Sequence, residues 1–348
     1  MKIAVLEHFS TLPSAASHAG LAKEGRALRD AVSADLRRLA GAEVLVVKHG
    51  CLFRDALRAS DAALVIAPAG GGVLEALCSE VETMGRRLLG PSSAAVRLAS
   101  DKLLAHRCLL AAKVPVPDTE SVSFASADRR LGDLTPPFVV KPRDGCGGQG
   151  VILVRRRAAV GAAIELLRRA TRRGDFLVQE FVEGDAASVS VLARDRAKPG
   201  GHDAVLPLGL NRQRFEWRDR FVYLGGETPW RHRLASRGLD AAQAAVLALA
   251  RSTPGVRGYL GVDLVLGRSG ATVIELNPRL TTSYLGLRRS IAGNLAGLVL
   301  DAAVGRALPP GATLVGRHRF ETDGTTIALG RRRPPGGVPP RSSDRTHS

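Results

Sequence analysis

The sequence predicts an α/β protein: an N-terminal parallel sheet with crossover helices, followed by two smaller α+β lobes. From residue 1 to about 95, short apolar runs alternate with amphipathic stretches of helix length. Strand, helix, strand in that rhythm gives a parallel sheet. Beyond about 95 the pattern changes to β-pairs broken by glycine and proline, with shorter helices between them. A chain of 348 residues with 45% hydrophobic content can also bury two or three cores.

Residues 3–6, 44–47, 63–67 and 87–89 read as strands. Leu21, Leu28, Val32, Leu36 and Leu39 fall at helical spacing and predict a helix over about 21–39. Ligands of such a sheet sit beyond the carboxyl ends of its strands. Three loops lie there: 7–10, 49–50 and the Pro68-Ala69-Gly70-Gly71-Gly72 turn. The first domain is thus expected over 1–95. A small lobe over 96–185 contains a helix carrying Lys102, a Val-Pro-Val-Pro stretch at 114–117, a β-pair around Lys141, a helix near 158–172 and a strand at 176–182. A large lobe over 186–306 has strands at 188–193, 259–266 and 272–276 and helices near 240–252 and 290–304. Residues 331–348, rich in Arg, Pro, Gly and Ser, cannot bury apolar area, and this basic tail is expected to be disordered.

No run of eighteen apolar residues occurs, and the N-terminus opens directly on an apolar strand, so a cytoplasmic protein with no membrane contact is expected. Cys51, Cys78, Cys108 and Cys146 are scattered without a CxxC pair, which suggests reduced thiols, not a zinc site or disulfide framework. The formal charge of +17 invites a nucleic-acid reading. Arginine is spread over nearly every predicted helix, however, and aromatics make up only 4% of residues, too few for base-stacking platforms. The charge suits anionic small molecules better, and nucleic acid is not an expected partner.

The strongest chemical signal is the segment from Gly261 to Arg279. Two strands flank a glycine-containing turn; with the hairpin centred near Ser269, Asp263 and Glu275 lie opposite one another, and Asn277 shares their face. The other face is expected to be apolar, with Val262, Leu264, Leu266, Ile274 and Leu276. A polar hairpin face is often merely solvated. Two carboxylates and an amide oxygen isolated against a wholly apolar face instead suit Mg2+, which takes one or two protein carboxylates and completes its shell with phosphate and water. The second signal is Lys141 at a strand end, followed by Gly145, Gly147, Gly148 and Gly150. Such a loop lets backbone N–H groups approach anionic oxygens, although it does not match a Walker motif. The third, Val178-Gln179-Glu180-Phe181-Val182-Glu183-Gly184, is an ordinary strand end when taken alone.

Together with Lys102, these segments occur in the order and rough spacing of the ATP-grasp superfamily, and the resemblance covers about residues 1–305. It implies the ATP-grasp fold: a pre-ATP-grasp α/β domain, then two lobes that grip ATP. It further implies that Lys102, Lys141, Gly147 and Gly148 contact the phosphates. Glu180, Phe181 and Val182 would join the lobes and bond adenine, with Glu183 beside the nucleotide. Asp263, Glu275 and Asn277 resemble the ligands of Mg2+, for which Mn2+ can substitute, and Arg279 matches the arginine that steadies the γ-phosphate and the tetrahedral intermediate. Many relatives carry a ribose-binding glutamate where this chain has Ala186, which leaves Asp185 or Glu183 for that place.

Within the superfamily, Glu24-Gly25, Asn211-Arg212-Gln213, the 223–229 segment and Thr281-Thr282-Ser283 resemble the tyramine–glutamate ligases of methanofuran-type cofactor biosynthesis and their bacterial relatives. Ala69 departs from that group, which often has glutamate there. The resemblance implies an ATP-dependent carboxylate–amine ligase acting through an acyl phosphate, with small-molecule acid and amine partners and a γ-glutamyl amide of tyramine or a similar amine as product. Glu24, Arg212, Gln213 and Thr281 would then face the substrates. The rival readings are another amino-acid or peptide ligase of the superfamily, and a nucleotide-binding regulator without turnover. A retained Arg279 disfavours the regulator. No general base stands out among His8, His49 and Glu24. Because residues 331–348 lie outside the resemblance and have no apolar face to dock, deleting them is expected to leave ADP release and melting temperature unchanged. A lower melting temperature after truncation would show that the tail packs.

Overall fold

The computed structural model describes residues 1–12, 19–145, 147–194, 204–217 and 221–330. Cys146 and the tail beyond 330 lie outside them. Four strands, β1 (Lys2–Glu7), β2 (Glu43–Val46), β3 (Ala62–Ile66) and β4 (Arg87–Leu88), form a parallel sheet in the order β2-β1-β3-β4. The long helix α1 (Ala19–Arg37) crosses over from β1 to β2, with Leu28, Val32 and Leu36 buried on one face as the spacing predicts.

A second sheet, all antiparallel, has the order β5-β8-β6-β7, from β5 (Thr119–Ser123), β6 (Phe138–Lys141), β7 (Ile152–Val154) and β8 (Asp175–Glu180). Helix α2 (Lys102–Ala111) precedes it, capped by the Asp101 carboxylate, which accepts from the backbone N–H groups of Leu103 and Leu104. Helix α3 (Val160–Ala170) covers the sheet, placing Ile164 and Leu167 against Val140 and Phe176.

The third sheet has seven strands in the order β13-β12-β9-β10-β11-β14-β15. Its members are β9 (Asp185–Ala193), β10 (Val205–Trp217), β11 (Phe221–Thr228), β12 (Gly258–Gly267), β13 (Gly270–Asn277), β14 (His318–Glu321) and β15 (Thr326–Ala328). Strand alternation gives this sheet two unlike faces. Val189, Val191, Leu210, Val262 and Leu264 pack under the alanine-rich helix α4 (Ala235–Ser252), whose Ala241, Ala242, Ala245 and Ala248 permit close approach. The intervening Ser188, Ser190, Asn211, Gln213 and Asp263 turn to the opposite face.

Two expectations need correction. The sequence patterning missed β5, β10, β11, β14 and β15; β10 carries Asn211, Arg212, Gln213 and Arg214 in a row and so shows no clean apolar period. The helix expected near 290–304 starts later, as α6 (Leu295–Ala303), and a separate helix that the patterning did not mark, α5 (Ser283–Ser290), precedes it. Gly293 is left-handed at the break, and the Asn294 side chain caps α6 by accepting from the Gly297 N–H at 3.2 Å.

The first domain is docked on the third sheet through one shared core, in which Ile3, Val5, Leu28 and Val32 meet Tyr284, Leu287, Leu295 and Phe320. At its centre Asp35 of α1, 3% exposed, accepts from Tyr284 Oη at 2.8 Å and from Arg288 Nε and Nη2 at 2.7 and 2.5 Å. Removing one member of such a buried set leaves a charge without its partner. Asp35→Ala is therefore expected to cost about 3–5 kcal/mol in urea unfolding, whereas leucine at both Asp35 and Arg288 should recover most of the loss. Equal losses in the two variants would show that the pair does not set the docking energy.

Candidate active site

The polar face of the β12–β13 hairpin pairs Asp263 with Glu275 and Gly261 with Asn277. The turn itself is tighter than the sequence suggested: Gly267 pairs with Gly270, and only Arg268 and Ser269 lie between. That register alone would set Asp263 opposite Ile274. A β-bulge after Asp263 inserts one extra residue in β13 and shifts the pairing so that Glu275 takes the position. The bulge also reverses the alternation of β13. Val273, 1% exposed, enters the core that Ile274 was expected to fill, and Ile274 faces a cavity beside Lys102, Lys141 and Glu275.

Directly opposed residues of an antiparallel pair have Cβ atoms about 4.5–5.5 Å apart, so the two carboxylates share one small space. Burial, and then the charge of Glu275, push the Asp263 carboxyl up to about 7, against the amides of Asn277 and Gln213 and the charge of Arg279. Asn277 Nδ2 donates to Asp263 Oδ2 and Gln213 Nε2 to Asp263 Oδ1, each at 2.9 Å. Among the described residues no three His, Cys, Asp or Glu side chains converge, since the third donor here is an amide. Two crowded carboxylates with an amide oxygen fit a hard divalent cation, which takes oxygen ligands and relieves the repulsion.

Across the cavity stand the lysines. Lys102, first residue of α2, is buried and donates from Nζ to Glu275 Oε1 at 2.9 Å and to the carbonyl of Gly145. Lys141 ends β6, is also buried, and donates to Gln179 Oε1 at 3.0 Å. Burial drives its ammonium down to about 8; Glu275 opposes that shift and Lys102 adds to it. The sequence assigns Gln179 no role, and its position as the buried partner of Lys141 emerges only from the β6–β8 pairing. Gly147 and Gly148, at φ of 60° and 75°, bend the loop after Lys141 as only glycine does readily.

Glu180 ends β8, and residues 181–184 carry the chain across to β9. Phe181 and Val182 are half-buried, while Glu180 and Glu183 are exposed. A Cβ on Gly184 would lie 2.5 Å from the carbonyl oxygen of Leu266, and one on Gly267 2.7 Å from that of Glu183. The crossing therefore presses directly on the end of the hairpin that carries Asp263.

On the far side of Asp263, α1 contributes Glu24, which accepts a short hydrogen bond from Thr282 Oγ1. Burial raises its carboxyl, opposed by that bond and by the Arg279 charge. Arg279 Nη1 reaches only the carbonyl of Leu280, at 3.0 Å, and its buried Nε has no hydrogen-bond partner among the described residues. Thr281 Oγ1 lies 3.0 Å from Tyr259 Oη, which donates to Ser190 Oγ at 2.6 Å. Tyr223 lies close enough for Glu24 and Asp263 to act on it, and its hydroxyl pKa is well raised, chiefly by burial. Neither tyrosine was singled out from the sequence, since a buried tyrosine reads as core. Arg212 is not brought into this group. It alternates to the other face of β10 from Gln213 and is exposed, with its guanidinium 5.7 Å over the Trp230 ring. Arg214 is held by Glu321 at 2.7 Å.

An ATP-grasp domain model matches residues 99–283 and a pre-ATP-grasp domain model residues 28–96. The chain belongs to the ATP-grasp family. That family uses ATP with Mg2+. The chain is 30% identical over 230 residues to the tyramine–L-glutamate ligase of Methanocaldococcus jannaschii, a match covering 66% of this chain but 58% of that protein, less than two thirds of the relative's length. It is 30% identical over 224 residues to the "Probable alpha-L-glutamate ligase" of Xylella fastidiosa, covering 64% of this chain and 68% of the other. Among solved structures, an ATP-grasp superfamily protein from Archaeoglobus fulgidus superposes with a TM-score of 0.64 at 24% identity over 92% of both chains, which establishes the shared fold. No helix of the described residues is long and apolar enough to cross a membrane.

The raised Asp263 carboxyl gives a pH signature. Between its ordinary value of 3.8 and about 7 the folded protein holds a proton that the unfolded chain releases, so metal-free stability falls as pH rises through that window. A cation competes with that proton. Mg2+ affinity should therefore weaken up to about tenfold for each unit below pH 7, and added Mg2+ should raise the melting temperature at pH 8 but hardly at pH 5. Asp263→Asn should remove both effects in melting curves; an unchanged Mg2+ response in that variant would refute the assignment.

Proposed function

We propose that the protein is an ATP- and Mg2+-dependent ligase that joins a carboxylate to an amine through an acyl phosphate. The observation that carries this reading is the convergence of Asp263, Glu275 and Asn277 on one hairpin face, with Lys102 and Lys141 across the cavity and Arg279 beside them. A carboxylate cannot acylate an amine directly, because oxide would have to leave. One carboxylate oxygen therefore attacks the γ-phosphorus, and ADP departs. The amine nitrogen then attacks the acyl carbon, phosphate leaves, and the nitrogen gives up a proton.

Lys102, Lys141 and the amides of Gly147 and Gly148 hold phosphate oxygens, and Glu180, Phe181, Val182 and Glu183 line the adenosine end. Asp263, Glu275 and Asn277 hold Mg2+, or Mn2+ in its place, which supplies charge neutralisation at the transferring phosphoryl group. Arg279, whose buried Nε has no hydrogen-bond partner among the described residues, is available to the oxyanion. In this reading residues 1–95, 96–185 and 186–306 act as three units, and the protein works in the cytoplasm.

For the substrates, we favour the side-chain carboxylate of glutamate and tyramine or a similar aryl amine. The resemblance to the archaeal ligase supports this, as does the placement of Glu24, Thr281 and Thr282 beside Arg279. Arg214 is engaged by Glu321 and Arg212 lies over Trp230, so neither is turned toward a second carboxylate of glutamate at this site. The alternative is peptide-type ligation of glutamate, as the name of the Xylella relative suggests.

Incubation with ATP, Mg2+, glutamate and tyramine, followed by mass analysis, is expected to yield γ-glutamyltyramine. Should another acid–amine pair turn over while this one does not, the substrate reading fails and the ligase reading stands. Arg279→Ala is expected to lower kcat by about 10²- to 10³-fold, the cost of losing one placed electrostatic stabiliser.

A further inference from the structure

Asp263 is clamped by two amides. Asn277 Nδ2 and Gln213 Nε2 each donate at 2.9 Å, one to each carboxylate oxygen. Each carboxylate oxygen accepts one amide N–H, so both amides turn their nitrogens toward Asp263. With its nitrogen committed in this way, Asn277 presents its carbonyl oxygen on the other side, as a metal ligand requires.

Gln213 does the same from an unexpected distance. It belongs to β10, whereas Asp263 is on β12, and β9 runs between them. At roughly 4.8 Å per strand the two backbones are about 9–10 Å apart. The hydrogen bond forms because the cleft face of β9 carries only Ala186, Ser188 and Ser190 beneath the crossing side chains. Ala186 is the position where the sequence departs from relatives that carry a glutamate. A long acidic side chain there would occupy the path of Gln213.

Resting on the metal-site reading above, we propose that Gln213 is a positioning residue for the metal-binding carboxylate and not a contact for the carboxylate or amine substrate. It holds the plane of the Asp263 carboxylate across β9, leaving the remaining lone pairs of that group directed toward Glu275 and Asn277. Loss of such an outer partner typically weakens metal affinity about 10- to 100-fold.

The test uses the full chain with a non-hydrolysable ATP analogue and Mn2+ as the probe, titrated by electron paramagnetic resonance. Gln213→Met keeps the length and loses the donor. Gln213→Asn keeps the amide and cannot reach, which covers the case in which the Met variant fails to fold. Both are expected to weaken Mn2+ binding about 10- to 100-fold, while analogue binding in metal-free buffer and the KM for the carboxylate substrate at saturating metal stay as in the parent. Mn2+ affinity within twofold of the parent in both variants, with binding abolished by Asp263→Ala, overturns the role of Gln213 alone. A raised substrate KM with unchanged Mn2+ affinity overturns it in favour of direct substrate contact. Unchanged binding in Asp263→Ala as well overturns the metal site itself.

Discussion

The repulsion between Asp263 and Glu275 is the interaction on which the rest of the site depends. Two carboxylates facing each other in a half-buried space raise the energy of the empty site, and the surrounding groups reduce that cost without cancelling it. Lys102 takes Glu275, while two amides take Asp263. Amides carry no charge, so burial and, after it, the charge of Glu275 still hold the Asp263 carboxyl above its ordinary value. A cation brought in with ATP would displace the proton and sit between the two carboxylates, which links metal affinity to the same burial and repulsion that raise the energy of the empty site.

The fold delivers this arrangement from elements far apart in sequence. Lys102 comes from helix α2, which packs into the core under the large sheet, the hairpin from the edge of that sheet, and Glu24 from α1. Glu24 reaches Thr282 only because α1 is docked against α5, and that docking is fixed by Asp35, Tyr284 and Arg288. Turning α1 against α5 would leave these buried charges unpaired, so the set restricts the docking to one orientation. Here the favoured orientation brings a carboxylate of the first domain beside Arg279.

Much of this was legible in the sequence. The parallel sheet follows from alternating apolar runs, the isolated polar face of the hairpin from the spacing of Asp263, Glu275 and Asn277, and the lysines and glycine loop from their order along the chain. Glu24, Thr281 and Gln213 also stand out in the sequence, although it suggests Gln213 for the substrates and the structure has it on Asp263. Strand β10 shows no apolar period because one of its faces, with Asn211 and Gln213, lines a polar cleft. An apolar period cannot mark a strand whose function requires polar residues.

The sequence by itself determined which residues carry charge and which face of each regular strand they share, because alternation is a local property of extended backbone. Only the tertiary structure decided the partners. The bulge at Ile274 that brings Glu275 opposite Asp263 depends on how a two-residue turn and the neighbouring strand β9 are accommodated together. The same holds for the reach of Gln213 across β9 and the turn of Arg212 away from the cleft. Each is settled by packing between strands separated by dozens of residues, where no local periodicity carries the information.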